Sequence, residues 1–371
     1  MKEITNLYIE PTTECNLSCS ICSRNHWTSE TIGHMEHHTF ERIISNLPPS
    51  VERIVFSGVG EPMTHPNILS LIAQAKATVC KVGLVTNGVL LDDTMANELL
   101  RLELDELWVS LDSVHEEEVS SLSGDMKNIN VYDNVLAFAK KRPGHYTSPK
   151  TTALGIAFIL MKSNLQQFKH LLKKAPHMGI DMIKATHLLP YDEAQLSEIC
   201  YERLLGMNLF QEQQAITTHV DLPLMESSHL EDKGILNQLI SPTLSVSLFD
   251  VPIVRKKDTC KFVEDGYIFV RWDGEVSPCV ALLHDHYAMQ QGVKRFNGSC
   301  SYGNVKDCSL QEIWDQREYQ EFRKRVADFV FSPCTSCGPC DLFETNEADC
   351  SGNIFPTCGA CLWAQGLFQC P

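Results

Sequence analysis

The sequence predicts an α/β fold, a parallel sheet either doubly wound or curled into a barrel, followed by a smaller cysteine-dense domain organised around metal. Three observations predict it. Six short apolar runs alternate with segments of helical periodicity from residue 6 to about residue 190. The runs are near-continuously apolar, as parallel strands covered on both faces must be. Eleven of the sixteen cysteines then fall between Cys260 and residue 371.

The strand-like runs are NLYIEP (6–11), RIVFSG (53–58), KVGLVTN (81–87), ELWVSLD (106–112), ALGIAFIL (153–160) and MIKATHLL (182–189). Amphipathic segments lie between them. Phe40, Ile43, Ile44 and Leu47 share one helical face, as do Ile68, Leu71, Ile72 and Ala75. Leu165, Phe168, Leu171 and Leu172 form another, and the glycine of HMG (177–179) predicts its end. In either arrangement functional residues belong at the C-terminal ends of the strands. Residues 191–259 lose the repeat and read as a connector or partial lid. The chain thus divides into 1–190, 191–259 and 260–371. The last part holds short strands in GYIFVRWDGEVSPC and one helix, SLQEIWDQREYQEFRKRV.

Composition narrows the function classes. With 43% hydrophobic and 21% charged residues the chain reads as a soluble globular protein. A net charge of −16 argues against a nucleic-acid groove or an anionic membrane surface as partner. There is no apolar run of membrane-spanning length, and MKEITNLYIEPTTEC lacks the apolar core of a signal peptide. A cytoplasmic protein is expected, and there disulfides are disfavoured. Cys80 and Cys200 read as small buried hydrophobes, whereas the clustered cysteines read as metal ligands.

Cys15, Cys19 and Cys22 follow directly on the first strand. Three thiolates in one tight loop can hold three irons of a [4Fe–4S] cube and leave the fourth open. A structural zinc site would want a fourth ligand in reach and a repeated Cys-x2-Cys pair. GVGEPM does not serve as a dinucleotide loop, because Met63 stands where the third glycine is needed and Pro62 interrupts the turn.

Cys-x3-Cys-x2-Cys after the first strand resembles the signature of radical SAM enzymes. SGVGEP (57–62) looks like their Gly-Gly-Glu motif, TNG (86–88) ends the third strand and VSLDS (109–113) the fourth. Ile21 departs from the pattern, since many members carry an aromatic residue there. The resemblance implies a partial (β/α)6 TIM-type barrel. S-adenosylmethionine would chelate the open iron, with Gly58, Gly60, Glu61, Ser110, Asp112 and Asn164 as cofactor-binding residues. Glu61 would accept a charge-assisted hydrogen bond from the amino group of S-adenosylmethionine. Reductive cleavage would give a 5′-deoxyadenosyl radical that abstracts hydrogen from substrate. A low-potential electron donor of ferredoxin or flavodoxin type is implied.

Cys260, Gly274 and Cys279 resemble the Cys-x(9–15)-Gly-x4-Cys opening of a SPASM domain, whose two auxiliary [4Fe–4S] clusters would make three in all. YGNVKDCSLQEIW (302–314) matches the stretch that follows. Cys334, Cys337, Cys340, Cys350, Cys358, Cys361 and Cys370 depart from the standard spacing. They look like the subgroup that matures tungsten-dependent aldehyde oxidoreductases. The expected partition gives one cluster Cys260, Cys279, Cys361 and either Cys340 or Cys350. The other takes Cys334, Cys337, Cys358 and Cys370, and Cys300 and Cys308 stay free thiols.

His187 ends the sixth strand. One register faces it to the barrel mouth as a candidate catalytic residue; the other makes it a core histidine. Arg24 is a further candidate for anion contact, and GHMEHH (33–38) reads as a solvated turn. The substrate is expected to be a tungstopterin-type cofactor or its host oxidoreductase, with peptide or protein side-chain modification as the alternative. A non-catalytic iron–sulfur electron carrier would need neither Glu61 nor an open iron.

Overall fold

The computed structural model describes residues 2–27, 31–111, 131–142, 152–201, 245–248, 260–335, 337 and 340–371. All six expected strands form: β1 (Asn6–Ile9), β2 (Arg53–Phe56), β3 (Lys81–Thr86), β4 (Glu106–Ser110), β5 (Ala153–Leu160) and β6 (Met182–His187). They pair in sequence order, all parallel, in an open sheet. β7 (Ser245–Leu248), within the expected connector, extends one edge beside β6. At the other edge β8 (Tyr267–Val270) pairs parallel with β1, and β9 (Val276–Ser277) adds antiparallel to it. The chain segment beginning at 260 therefore completes the same nine-stranded sheet before it builds its own structure.

The alternation of side chains along each strand fixes two layers. Leu7, Ile9, Ile54, Phe56, Val82, Leu84, Leu107, Val109, Ile156, Phe158, Ile183 and Ala185 belong to the core beneath the helices. That layer is closed by α1 (His37–Ser45), α2 (Ile68–Lys76), α3 (Asp93–Arg101), α4 (Val131–Lys141) and α5 (Leu165–Lys174). Each buries residues spaced three or four apart, such as Phe40 and Ile43 in α1 and Phe168, Leu171 and Leu172 in α5. Asp92 caps α3, its carboxylate accepting from the Met95 N–H at 2.8 Å. The helix expected to end at Gly179 stops at Lys174, and Gly179 (φ 71°) serves the turn that follows.

The opposite face carries Tyr8, Val55 and Phe269. Residues 363–371 lie against it. The Tyr8 hydroxyl donates to the carbonyl of Pro371, and the Lys184 ammonium to that of Cys370 at 2.9 Å. Gln369 donates to the Ala185 carbonyl at 2.7 Å. Aromatic rings and this segment thus fill the floor of the open sheet, leaving its strand ends for chemistry.

Beyond the sheet, β10 (His286–Gln290) and β11 (Val293–Asn297) form an antiparallel hairpin. The stretch expected as one helix splits into Leu310–Trp314 and Arg317–Asp328. Gln316 is extended between them (ψ 141°), and Ser309 with Glu312 forms a capping box that starts the first. Among the described residues no helix is long and apolar enough to cross a membrane. None of the sixteen cysteines forms a disulfide among the described residues.

Candidate active site and cysteine centres

A cavity of about 390 Å³ opens at the C-terminal ends of β1 to β5. Cys15, Cys19 and Cys22 line it together with Gly58, Gly60, Glu61 and Ser110, as do Asn87, Ile159 and Val280. The two glycines are there for closeness. A Cβ on Gly60 would lie 2.4 Å from the Thr12 carbonyl oxygen and 2.5 Å from that of Glu14; one on Gly58 would lie 2.4 Å from Cγ of Glu10. The Glu61 N–H donates to the Glu14 carbonyl at 2.8 Å, so the second strand end braces the cysteine loop directly.

Glu61 is 2% exposed, and its carboxylate is already engaged. Oε1 accepts from the Met63 N–H at 3.0 Å and the Thr86 hydroxyl at 2.8 Å, and Oε2 accepts from the Asn87 N–H at 2.6 Å. Burial raises its pKa and these hydrogen bonds oppose the rise. A carboxylate offers about four acceptor positions. Three are used here, two of them holding the ends of β2 and β3 together, which leaves one for a ligand.

The thiols of Cys15 and Cys22 are pushed up by burial, with the Arg24 guanidinium opposing. Arg24 also donates to the Leu17 carbonyl at 2.6 Å, so its place is inside the loop. Asn87 reaches Cys15 Sγ at 3.8 Å and Asn16 at 2.8 Å. Three thiols around one cavity, with no fourth cysteine among its lining residues, suit a cube with one open corner. Among the described residues no three His, Cys, Asp or Glu side chains converge closely enough for a single ion.

Two expected site residues do not line this cavity. His187 shares the face of Ile183 and Ala185, on the helix side of the sheet, and its ring packs 5.3 Å from that of Tyr201. Its register is the core one, and burial lowers its pKa to about 3. Asn164 is 4% exposed. Its amide oxygen accepts from the Met161 N–H and its amide nitrogen donates to the Ile159 carbonyl, both at 2.8 Å. It shapes the end of β5, and Ile159, not Asn164, meets the cavity. Asp112 lies outside the described residues.

A second group gathers Cys260, Cys279, Cys358 and Cys361. Burial raises all four thiols, Cys260 to about 12, and each of Cys260, Cys279 and Cys358 is raised further by neighbours in the group. Cys279, Cys358 and Cys361 line one small cavity with His286 and Arg295. In a third group Cys334 feels Cys350 and Cys340, and Cys337 and Cys340 are exposed on the same segment. This differs from the expected partition: Cys358 joins Cys260, while Cys340 and Cys350 join Cys334. Cys370 packs against the same aromatic cluster as Cys260 and Cys279. It sits by Trp363 and Lys184, its thiol raised by burial to about 11. Cys358 and Cys361 lie on one tight turn, the Cys361 N–H donating to the Cys358 carbonyl, which keeps them together.

Contacts between the two halves were not legible in the sequence. Glu10, at the end of β1, pairs with His284 at 2.8 Å, both 3% exposed or less. Its other oxygen accepts from the Val59 N–H at 2.9 Å. Trp27 stacks on His284 at 4.7 Å, and Tyr191 stacks on His26 at 5.4 Å while meeting His286 edge-on at 6.2 Å. Gln195 donates to the Ser20 carbonyl at 2.8 Å. The described start of the connector therefore clasps the cysteine loop.

Comparisons with known proteins agree with this geometry. Residues 9–175 match the model of the radical SAM superfamily, and 260–341 that of the SPASM iron-sulfur cluster-binding domain. The chain is 29% identical to the tungsten-containing aldehyde ferredoxin oxidoreductase cofactor-modifying protein of Pyrococcus furiosus, over 98% of this chain and 96% of that protein. It is 24% identical to the PqqA peptide cyclase of Gluconobacter oxydans, over 94% and 84% of the respective chains. Among solved structures it resembles Streptococcus suis SuiB bound to S-adenosylmethionine, with 17% identity and TM-score 0.59 over 91% of this chain and 71% of that one. SuiB bound to its precursor peptide SuiA gives 0.57 at 16% identity, over 91% and 70%. The match to SuiB supports the fold; the family rests on the two domain models and the relatives. The chain belongs to the radical SAM superfamily, an enzyme that binds iron–sulfur clusters and S-adenosylmethionine and carries a C-terminal SPASM domain.

Proposed function

We propose that this enzyme matures a tungsten-dependent oxidoreductase, by modifying its tungstopterin-type cofactor or the host protein. The observation that carries the reading is the identity to the Pyrococcus cofactor-modifying protein, which spans nearly the whole chain. It therefore extends into the cysteine block beyond residue 341, where the SPASM match ends.

Cys15, Cys19 and Cys22 would hold the cube that meets S-adenosylmethionine. Cys260, Cys279, Cys358 and Cys361 would hold one auxiliary cube, and Cys334, Cys337, Cys340 and Cys350 the other. The mutual influence of the buried thiols supports the first auxiliary set, and the proximity of Cys334 to Cys340 and Cys350 supports the second. Bound together, cube and S-adenosylmethionine supply one-electron reductive cleavage and a radical able to take hydrogen from substrate. The chain's own part is positional. Glu61 ties the ends of β2 and β3 together and offers its remaining acceptor position to an ammonium group. Ser110, exposed at the end of β4, offers a hydroxyl to a ribose. Leu17, Ile21, Ile159 and Val280 give the cavity apolar walls that exclude water. The electron would come from a ferredoxin- or flavodoxin-type donor in the cytoplasm, where thiols stay reduced.

Peptide modification is the second reading, favoured by the likeness to the PqqA peptide cyclase and by the fold shared with SuiB. One experiment separates them. The reconstituted, reduced protein is given S-adenosylmethionine with a tungstopterin cofactor, an apo tungsten oxidoreductase, or precursor peptides, and each substrate is weighed by mass spectrometry. A mass change in cofactor or oxidoreductase supports maturation; a change confined to a peptide replaces it with the second reading.

A further inference from the structure

The β10–β11 hairpin carries a guanidinium into the interior of the cysteine-rich half. Arg295 is 3% exposed. Its Nε donates to Asn297 at 3.2 Å, one Nη to the carbonyl of Phe343, and its plane lies 5.1 Å from the Phe343 ring. Among the described residues no carboxylate lies within ion-pair distance of it. A buried cation without a counter-charge is strongly destabilising. The nearby groups able to become negative are cysteines.

Those cysteines come from both auxiliary groups. Cys358 and Cys361 line one cavity with Arg295. Cys334, Cys361 and Cys358 lie close enough to act on its charge. The hairpin tip makes a second link. Gln291 (φ 52°) and Gly292 (φ 74°) form its two-residue turn, the left-handed pair that matches strand twist. From that turn the Gln291 amide donates to the carbonyls of Cys334 at 3.2 Å and Thr335 at 2.7 Å. The hairpin is thus wedged between the two groups with its one buried cation facing both.

We propose that Arg295 is the counter-cation shared by the two auxiliary clusters, held between Cys358 and Cys361 on one side and Cys334 on the other, and that it keeps both reduction potentials up. This rests on the cluster assignment given above. Reduction adds negative charge to a thiolate-ligated cube, so a fixed positive charge in a dry site favours the reduced form of each. Both auxiliary centres then stay ready to take an electron, and neither can change its charge without the other's counter-cation responding.

The test uses protein in which Cys15, Cys19 and Cys22 are alanine, so that only auxiliary signals remain. Iron and sulfide are counted, and spectroscopic redox titrations compare this background with added Arg295→Met or Arg295→Lys. The expected result is about eight irons in each, both potentials shifted negative by Arg295→Met, and most of the shift rescued by Arg295→Lys. Unmoved potentials with eight irons present, or a shift in one cluster alone, would overturn the shared role. If Arg295→Met fails to load, Arg295→Gln replaces the methionine variant, with both potentials expected to shift negative relative to Arg295→Lys, and equal values overturn the proposal. A background holding four irons or fewer would overturn the cluster assignment and Arg295's role with it.

Discussion

The carboxylate of Glu61 receives the backbone N–H of Asn87 at 2.6 Å, a hydrogen bond between the ends of two neighbouring strands. With the contacts to Met63 and Thr86 it makes Glu61 a clamp across the mouth of the sheet as well as a candidate ligand group. A glutamate that only bound a ligand would keep most of its acceptor positions free.

Glu61→Gln tests the clamp. The new amide NH2 must face an N–H or hydroxyl donor that now has an acceptor, leaving a buried donor unsatisfied at a cost of about 1–3 kcal/mol. Thermal unfolding should therefore move down along with the affinity for S-adenosylmethionine. An unchanged unfolding midpoint with weakened binding would reduce Glu61 to a ligand contact alone.

Gly60→Ala should be more damaging to the site than to the fold. Its Cβ would need the Thr12 and Glu14 carbonyls to retreat, which moves the loop that carries Cys15. Overpacking of this kind costs about 1–3 kcal/mol. The expected outcome is loss of about four of about twelve irons, with the auxiliary clusters retained. Full iron content and unchanged S-adenosylmethionine cleavage would show that the loop can yield without consequence.

The strands and the first cysteine motif were legible because both are local. An apolar run of five residues and a Cys-x3-Cys-x2-Cys loop need no knowledge of the rest of the chain. The face His187 takes was not legible for a related reason, since a strand end shows which residue comes last but not which face it takes; Asn164, past the end of β5, turns its amide back onto Met161 and Ile159. The register that sends Ile183 and Ala185 under the helices sends His187 after them. Val280, Tyr191 and Arg295 carried no signal at all. Each matters through contacts with residues more than 60 positions away, as Arg295 with Cys358 and Val280 with the cysteine loop.

Acid should probe His187. Its folded pKa of about 3 lies below the unfolded value near 6.5, so the unfolded chain takes up a proton first. Its contribution is complete above pH 6.5 and is lost as pH falls from there toward 3. At pH 5 the loss amounts to about 2 kcal/mol. Urea unfolding at pH 7.5 and 5 should show the parent losing that much more than His187→Leu; equal losses would mean the ring is not held neutral.

Cys370→Ser should leave iron and sulfide unchanged, because Trp363 and Lys184 already attend its thiol. Cys358→Ser should remove one auxiliary cluster, about four irons. The reverse pattern would restore the partition expected from spacing.

The central claim is that one open cube at Cys15, Cys19 and Cys22 stands apart from two auxiliary cubes. Counting iron after anaerobic reconstitution tests it most directly. The parent should hold about twelve irons and the variant with alanine at those three positions about eight. Equal iron in the two proteins, or a fall to zero in the variant, would contradict it.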